Sequence, residues 1–137
     1  MAKRPALARP NRAMTAAELL DIHRQNLAIV MLADERRIDP LALHIQLENT
    51  ARARIRSGAI PRGDTLKLAL DRLRVPIFGI WGGRDSTAGP YLDARRQLFE
   101  NLSPPAPFHV IEGAGHWVAY EAADAFNTVF MKILENH

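Results

Sequence analysis

Apolar residues recur along this chain with two different periods, and the change of period divides it. From Met14 to about residue 74 they return every three or four positions, as on a helix with one buried face. Leu19, Ile22, Leu27, Val30 and Met31 mark one such face, running to about Ala33. Leu41, Leu43, Ile45 and Leu47 turn inward on a second helix that ends at Gly58, and Leu66, Leu70 and Leu73 stand at i, i+4 and i+7 on a third. Beyond residue 74 come short continuous apolar runs, Val75 to Trp81 and Phe108 to Ile111, of a length that suits buried strands. Between them Tyr91, Leu98 and Leu102 share a helical face. After them Ala122, Phe126, Val129, Phe130 and Ile133 form one stripe of a helix from about Tyr120 to Leu134.

Start and stop signals agree with this division. Thr15-Ala16-Ala17-Glu18 is a capping box, with Met14 and Leu19 placed as a hydrophobic staple. Asp39-Pro40 supplies an N-cap and a first-turn proline for the second helix, Gly58 its stop, and Asp64 is placed to cap the third. Arg52, Arg54 and Arg56 then lie near the negative end of the second helix's dipole, which explains them without a ligand. Pro90 suits the first turn of the crossover helix, and Ser103-Pro104-Pro105 ends it. Residues 1–13, with Pro5, Pro10 and four basic side chains, read as a flexible basic tail. The expected organisation is a tail over 1–13, a helical segment over 14–74 and an α/β unit over 75–137.

Two turns in the last unit carry chemistry. Val75 to Trp81 runs into Gly82-Gly83-Arg84-Asp85, and Phe108 to Ile111 into Gly113-Ala114-Gly115-His116-Trp117. A strand, a crossover helix and a second parallel strand place one carboxylate and one imidazole at the carboxyl ends of neighbouring strands. Taken singly, Asp85 reads as a turn residue and His116 as a cap of the last helix. Taken together, they read as an acid–base pair. Arg84 either lowers the carboxylate's pKa or points to solvent.

This stretch resembles the C-terminal part of the α/β-hydrolase family, in which the chain order is nucleophile, acid, histidine. The resemblance is strongest over Val75 to Leu134 and extends less specifically back to Met14, where the helices look like that family's cap. It implies a partial α/β-hydrolase fold, a helical cap segment followed by β-α-β-α with two parallel strands. It also implies Asp85 as the acid orienting His116 as general base, and hydrolysis of an ester, amide or carbon–carbon bond in a complete enzyme. Trp117 and Trp81 are candidate walls of a substrate pocket, packing being the competing reading for both. Cap residues Leu27, Met31 and Asn49 are candidates for choosing a small-molecule substrate. The family's G-x-S-x-G elbow is absent: the three serines lie in Arg-Ser57-Gly, Asp-Ser86-Thr and Leu-Ser103-Pro, and there is no cysteine. The expected activity of these residues by themselves is therefore negligible. The alternative is a non-catalytic interaction protein derived from the fold, self-associating through the open strand 75–81.

Composition narrows the remaining classes. Without cysteine there is neither disulfide framework nor thiolate metal site, which fits the cytoplasm, and the start lacks the apolar core of a secretory signal. His23 and His44 stand in no metal-binding pattern, and the reading calls for no metal or cofactor. No apolar run is long enough for a membrane. The net charge of +3 conceals 14 Lys/Arg against 8 Asp/Glu over residues 1–74, a net of +6, and 4 against 7 over 75–137, a net of −3. The basic front lacks interleaved aromatics and any nucleic-acid motif, which argues against a nucleic-acid partner.

Overall fold

The computed structural model describes residues 6–11, 13–54, 64–70 and 72–136. Helices α1 (Ala16–Val30), α2 (Pro40–Arg52) and α3 (Thr65–Leu70) precede strand β1 (Gly79–Gly82). There follow α4 (Leu92–Glu100), β2 (Phe108–Ile111), α5 (Val118–Glu121) and α6 (Ala123–Glu135). The fold is mixed α/β, with the helical segments ahead of a β-α-β-α unit whose two strands run parallel. Gly79 pairs with Phe108 and Gly82 with Ile111, so the two strands end level with each other.

Local signals formed the first two helices. The Thr15 hydroxyl accepts from the Glu18 N–H while the Glu18 carboxylate accepts from the Thr15 N–H at 2.7 Å, closing the capping box. Asp39 accepts from the Ala42 N–H at 2.8 Å, and Pro40 opens α2. Leu27, Leu32, Ile38, Ala42 and Leu43 then bury a core between α1 and α2. A second core, Ile111, Ala114 and Val118, sits under the turn that follows β2. Ala8 gives its N–H to, and accepts at its carbonyl from, the Asn26 side-chain amide at 3.0 and 2.9 Å, which ties the chain at Ala8 to α1.

Several expectations need correction. Strand β1 begins at Gly79 rather than Val75. The Gly79 N–H pairs with the Pro107 carbonyl, whereas Pro76 has no N–H to give and Val75 is exposed. Leu41 is exposed, because it follows Pro40 in the first turn and α2 turns Ala42 and Leu43 to α1 instead. Helix α2 ends at Arg52, so of its three arginines only Arg52 lies in the last turn; Arg56 and Gly58 lie outside the described residues. Helix α3 ends at Leu70, so Leu73 lies beyond it, and with Leu66 and Leu73 both exposed the expected apolar face of a third helix is not buried. The last helix is two: the chain breaks at Ala122 (φ −125°, ψ 50°) between α5 and α6.

Candidate active site

Asp85 and His116 meet above the carboxyl ends of β1 and β2. The turn after β1 folds onto the turn after β2. The Gly83 N–H gives to the Ile111 carbonyl at 2.9 Å and the Arg84 N–H to the Ala114 carbonyl at 2.8 Å. This approach explains Gly82, where a Cβ would overlap the carbonyl oxygens of Ala114 and Gly115. Gly113 turns the second loop at φ +80°, a left-handed angle that glycine adopts without strain. The His116 Nδ1 stands 2.9 Å from Asp85 Oδ2.

The carboxylate is secured almost entirely from its own turn. Its Oδ1 accepts from the N–H of Thr87 at 2.7 Å, the N–H of Ala88 at 3.0 Å and the hydroxyl of Thr87 at 2.8 Å. Asp85 is 4% exposed. Burial by itself pushes its pKa up, but the hydrogen bonds from His116, Thr87 and Ala88 outweigh it and hold the carboxyl below its ordinary value. Arg84 is exposed and is not among the causes of this shift. Because an ionised carboxylate only accepts, Nδ1 carries the proton in this contact. Thr87 Oγ1, 3.1 Å away, lies beside the same proton while its own goes to Asp85. The imidazole's Nε2 is left to exchange protons, and the side chain is 43% exposed, with Asp85 beneath it.

The histidine loop has a different kind of support. Glu121, on α5, is 6% exposed, and its carboxylate accepts from the N–H groups of Gly115 at 2.6 Å, Asp34 at 2.7 Å and Ala33 at 3.1 Å. The Trp117 N–H gives to the Met31 carbonyl at 2.9 Å, and the Ser86 hydroxyl to the Val30 carbonyl at 3.0 Å. The end of α1 thus touches both loops.

A cleft of about 410 Å³ opens beside His116, walled by Ile45 and Asn49 from α2 and by Trp117 to Tyr120. Trp117 and Asn49 therefore border the space next to the imidazole. Trp81 does not line it: the indole stacks on Phe108 (centroids 4.6 Å apart) and meets Phe99 edge-on. Leu27 is fully buried in the helical core, and Met31 packs against that core. Among the described residues no three His, Cys, Asp or Glu side chains converge as a metal site requires. No described helix is long and apolar enough to cross a membrane.

Thr87 and Glu121 were not legible as site residues. Asp-Ser-Thr is ordinary turn chemistry, and the partners of Glu121 are 6, 87 and 88 residues away.

No known family profile matches the chain. Over 65 residues it is 38% identical to a 2-hydroxy-6-oxononadienedioate/2-hydroxy-6-oxononatrienedioate hydrolase of Paraburkholderia phymatum (strain DSM 17167 / CIP 108236 / LMG 21445 / STM815). That stretch is 47% of this chain and 22% of the relative. The chain is a distant, partial relative of an α/β-hydrolase. The paired Asp85 and His116 accompany this similarity, and the similarity covers about a fifth of the relative's length.

Proposed function

We propose that these residues form the cap and the acid–base portion of an α/β-hydrolase, with Asp85 orienting His116 as general base. The observation that carries the reading is the 2.9 Å contact between a buried carboxylate and the Nδ1 of a half-exposed imidazole, made between the turns of two adjacent parallel strands. With Nδ1–H held by Asp85, Nε2 takes the proton of a nucleophile or of water. It returns that proton to the leaving group, while Asp85 stabilises the imidazolium in between. The name of the relative supports an oxo-dienedioate or a similar small acid as substrate, within the class of ester, amide or carbon–carbon bonds. The cleft beside His116 has the dimensions for a small molecule, and Trp117 and Asn49 border it.

No serine of the 137 residues sits in a glycine-flanked elbow, so the nucleophile belongs to polypeptide outside them. Loss of a nucleophile costs a serine hydrolase about a million-fold in turnover, and the 137 residues by themselves should hydrolyse esters no faster than their His116→Ala variant. Co-expression with a segment carrying the preceding strands and a G-x-S-x-G elbow is the test. The reading requires labelling by a serine-reactive fluorophosphonate and ester turnover that His116→Ala abolishes. A folded, mixed complex that shows neither outcome sinks it.

One observation favours a second reading, a non-catalytic interaction protein. Among the described residues β1 has no strand on its outer side, and an apolar cleft of about 380 Å³ runs past Leu70, Leu73, Val75 and Pro107. An open strand edge beside exposed apolar side chains invites a further strand. Concentration-dependent self-association, removed by a charge at the exposed Val75 without loss of fold, would support this reading over the first.

A further inference from the structure

We propose that Glu121 is the positioning residue that sets His116 against Asp85, by fastening the histidine loop to the C-terminal end of α1. The proposal rests on the acid–base reading of Asp85 and His116 and goes beyond it. It names what fixes the imidazole.

The imidazole needs an external hold. It is 43% exposed, and the loop in front of it contains Gly113 and Gly115, which add backbone freedom rather than stiffness. Asp85 offers the ring a single hydrogen bond, which fixes the ring's donor without fixing the backbone of the loop that carries it. The residues on either side of His116 are both tied to residues 31–34. The Gly115 N–H reaches Glu121 at 2.6 Å, and Glu121 in turn accepts from Ala33 and Asp34, while the Trp117 N–H reaches the Met31 carbonyl directly. Contact is close enough that a Cβ on Gly115 would come within 2.7 Å of the Ala33 nitrogen and 2.8 Å of the Met31 oxygen. The acid's turn is tied to the same place, through the Ser86 hydroxyl and the Val30 carbonyl. Residues 30–34 therefore act as a common footing for both loops.

Glu121 suits the part chemically. A buried carboxylate without a cation is costly, and three converging N–H donors offset that cost only if both oxygens accept. Oε2 serves Gly115 and Ala33, and Oε1 serves Asp34. A glutamine of the same shape has one accepting oxygen. Whichever way its amide turns, an NH2 faces at least one of the three N–H groups, and the seam parts.

The test is the protonation pattern of the His116 ring, read by long-range 1H–15N correlation NMR at a pH where the imidazole is neutral. In the unaltered protein His116 should be the Nδ1–H tautomer, held so by Asp85. In Glu121→Gln it should revert to the Nε2–H form that free histidine favours, although Asp85 and His116 are both still present. Ile133→Ala, which weakens the protein from α6 without touching the seam, should keep the Nδ1–H form. A folded Glu121→Gln protein with His116 still in the Nδ1–H tautomer overturns the proposal, as does the same reversion in Ile133→Ala. Should Glu121→Gln fail to fold, amide exchange in the unaltered protein decides. On warming, the Ala33, Asp34 and Gly115 amides should become exchangeable at the temperature where the His116 tautomer changes; a tautomer that survives their exposure also overturns it. This readout involves no nucleophile or substrate, so a completed enzyme without hydrolysis defeats the catalytic reading and leaves this result standing.

Discussion

The two loops that meet at the candidate site are held in opposite ways. The turn that carries Asp85 supplies its own hydrogen bonds: Thr87 and Ala88, two and three residues on, satisfy one carboxylate oxygen, and the Asp85 carbonyl accepts from Gly89 at 2.6 Å. Such a turn is largely settled by its own sequence. The turn that carries His116 takes its support from Glu121 and from a segment more than eighty residues back in the chain. The carboxylate of one half is satisfied mainly within its own turn, which has one outside tie from Ser86 to Val30, whereas the loop of the other half is held chiefly by tertiary contacts. A substitution should therefore act quite differently on the two sides.

Where the loops touch, the difference disappears, and the largest effect is expected there. Gly82→Ala would drive a Cβ into the carbonyl oxygens of Ala114 and Gly115, which are backbone atoms and cannot rotate away. The two turns would have to separate, at a cost of about 4 kcal/mol or more, comparable to the severest single substitutions. Loss of the cooperative thermal transition by circular dichroism is the expected result. A folded variant with near-normal melting would mean that the turns are not clasped as described.

Next come two changes at Asp85, which separate its local from its non-local duty. Asp85→Ala removes the acceptor for the Thr87 and Ala88 N–H groups and should cost about 2 kcal/mol. Asp85→Asn keeps an oxygen for those donors but turns an NH2 toward His116, so it should cost less than half as much while still releasing the Nδ1–H tautomer. Urea titrations of both variants measure this. Equal destabilisation by the two would erase the distinction between the loops.

The same contrast explains what the sequence made legible. The capping box at Thr15, strand β2 and the Asp39-Pro40 start of α2 all rest on residues within a few positions of one another, and each is found. Strand β1 began four residues later than its apolar run, because a run of Val, Pro and Ile says nothing about which backbone groups find partners. Leu41 and Leu66 point outward for a related reason. Periodicity identifies a face, but only packing decides which face is covered. Glu121 is the extreme case. A glutamate on a helix reads as a solvated charge until the chain brings the N–H groups of Ala33 and Asp34, more than eighty residues away, together with that of Gly115 to it.

A smaller effect is expected from pH. The Asp85 carboxyl is held below its ordinary value, so its stabilisation is complete above the unfolded pKa of about 3.9 and is lost as pH falls through the lower folded value. Between pH 6 and pH 3 the unaltered protein should lose more stability than Asp85→Asn, which has no proton to take up. Parallel loss in both would place the acid sensitivity elsewhere.

The smallest effect should come from Tyr120, whose hydroxyl gives to Asp39 Oδ1 at 2.5 Å and ties α5 to the start of α2. Burial, with the bond to Asp39 and that carboxylate's charge, raises the phenol's pKa to about 12. A raised pKa means stability present in full below the unfolded value of about 10 and lost as pH climbs from there toward 12. Tyr120→Phe should cost about 0.5–1 kcal/mol at neutral pH and flatten that alkaline fall. The tie lies one turn beyond the histidine loop, yet it reaches α2 rather than residues 30–34, so His116 should keep its Nδ1–H tautomer in this variant. If the tautomer changes there too, the histidine loop answers to any loosening of the helical segment, and Glu121 would lose its special place.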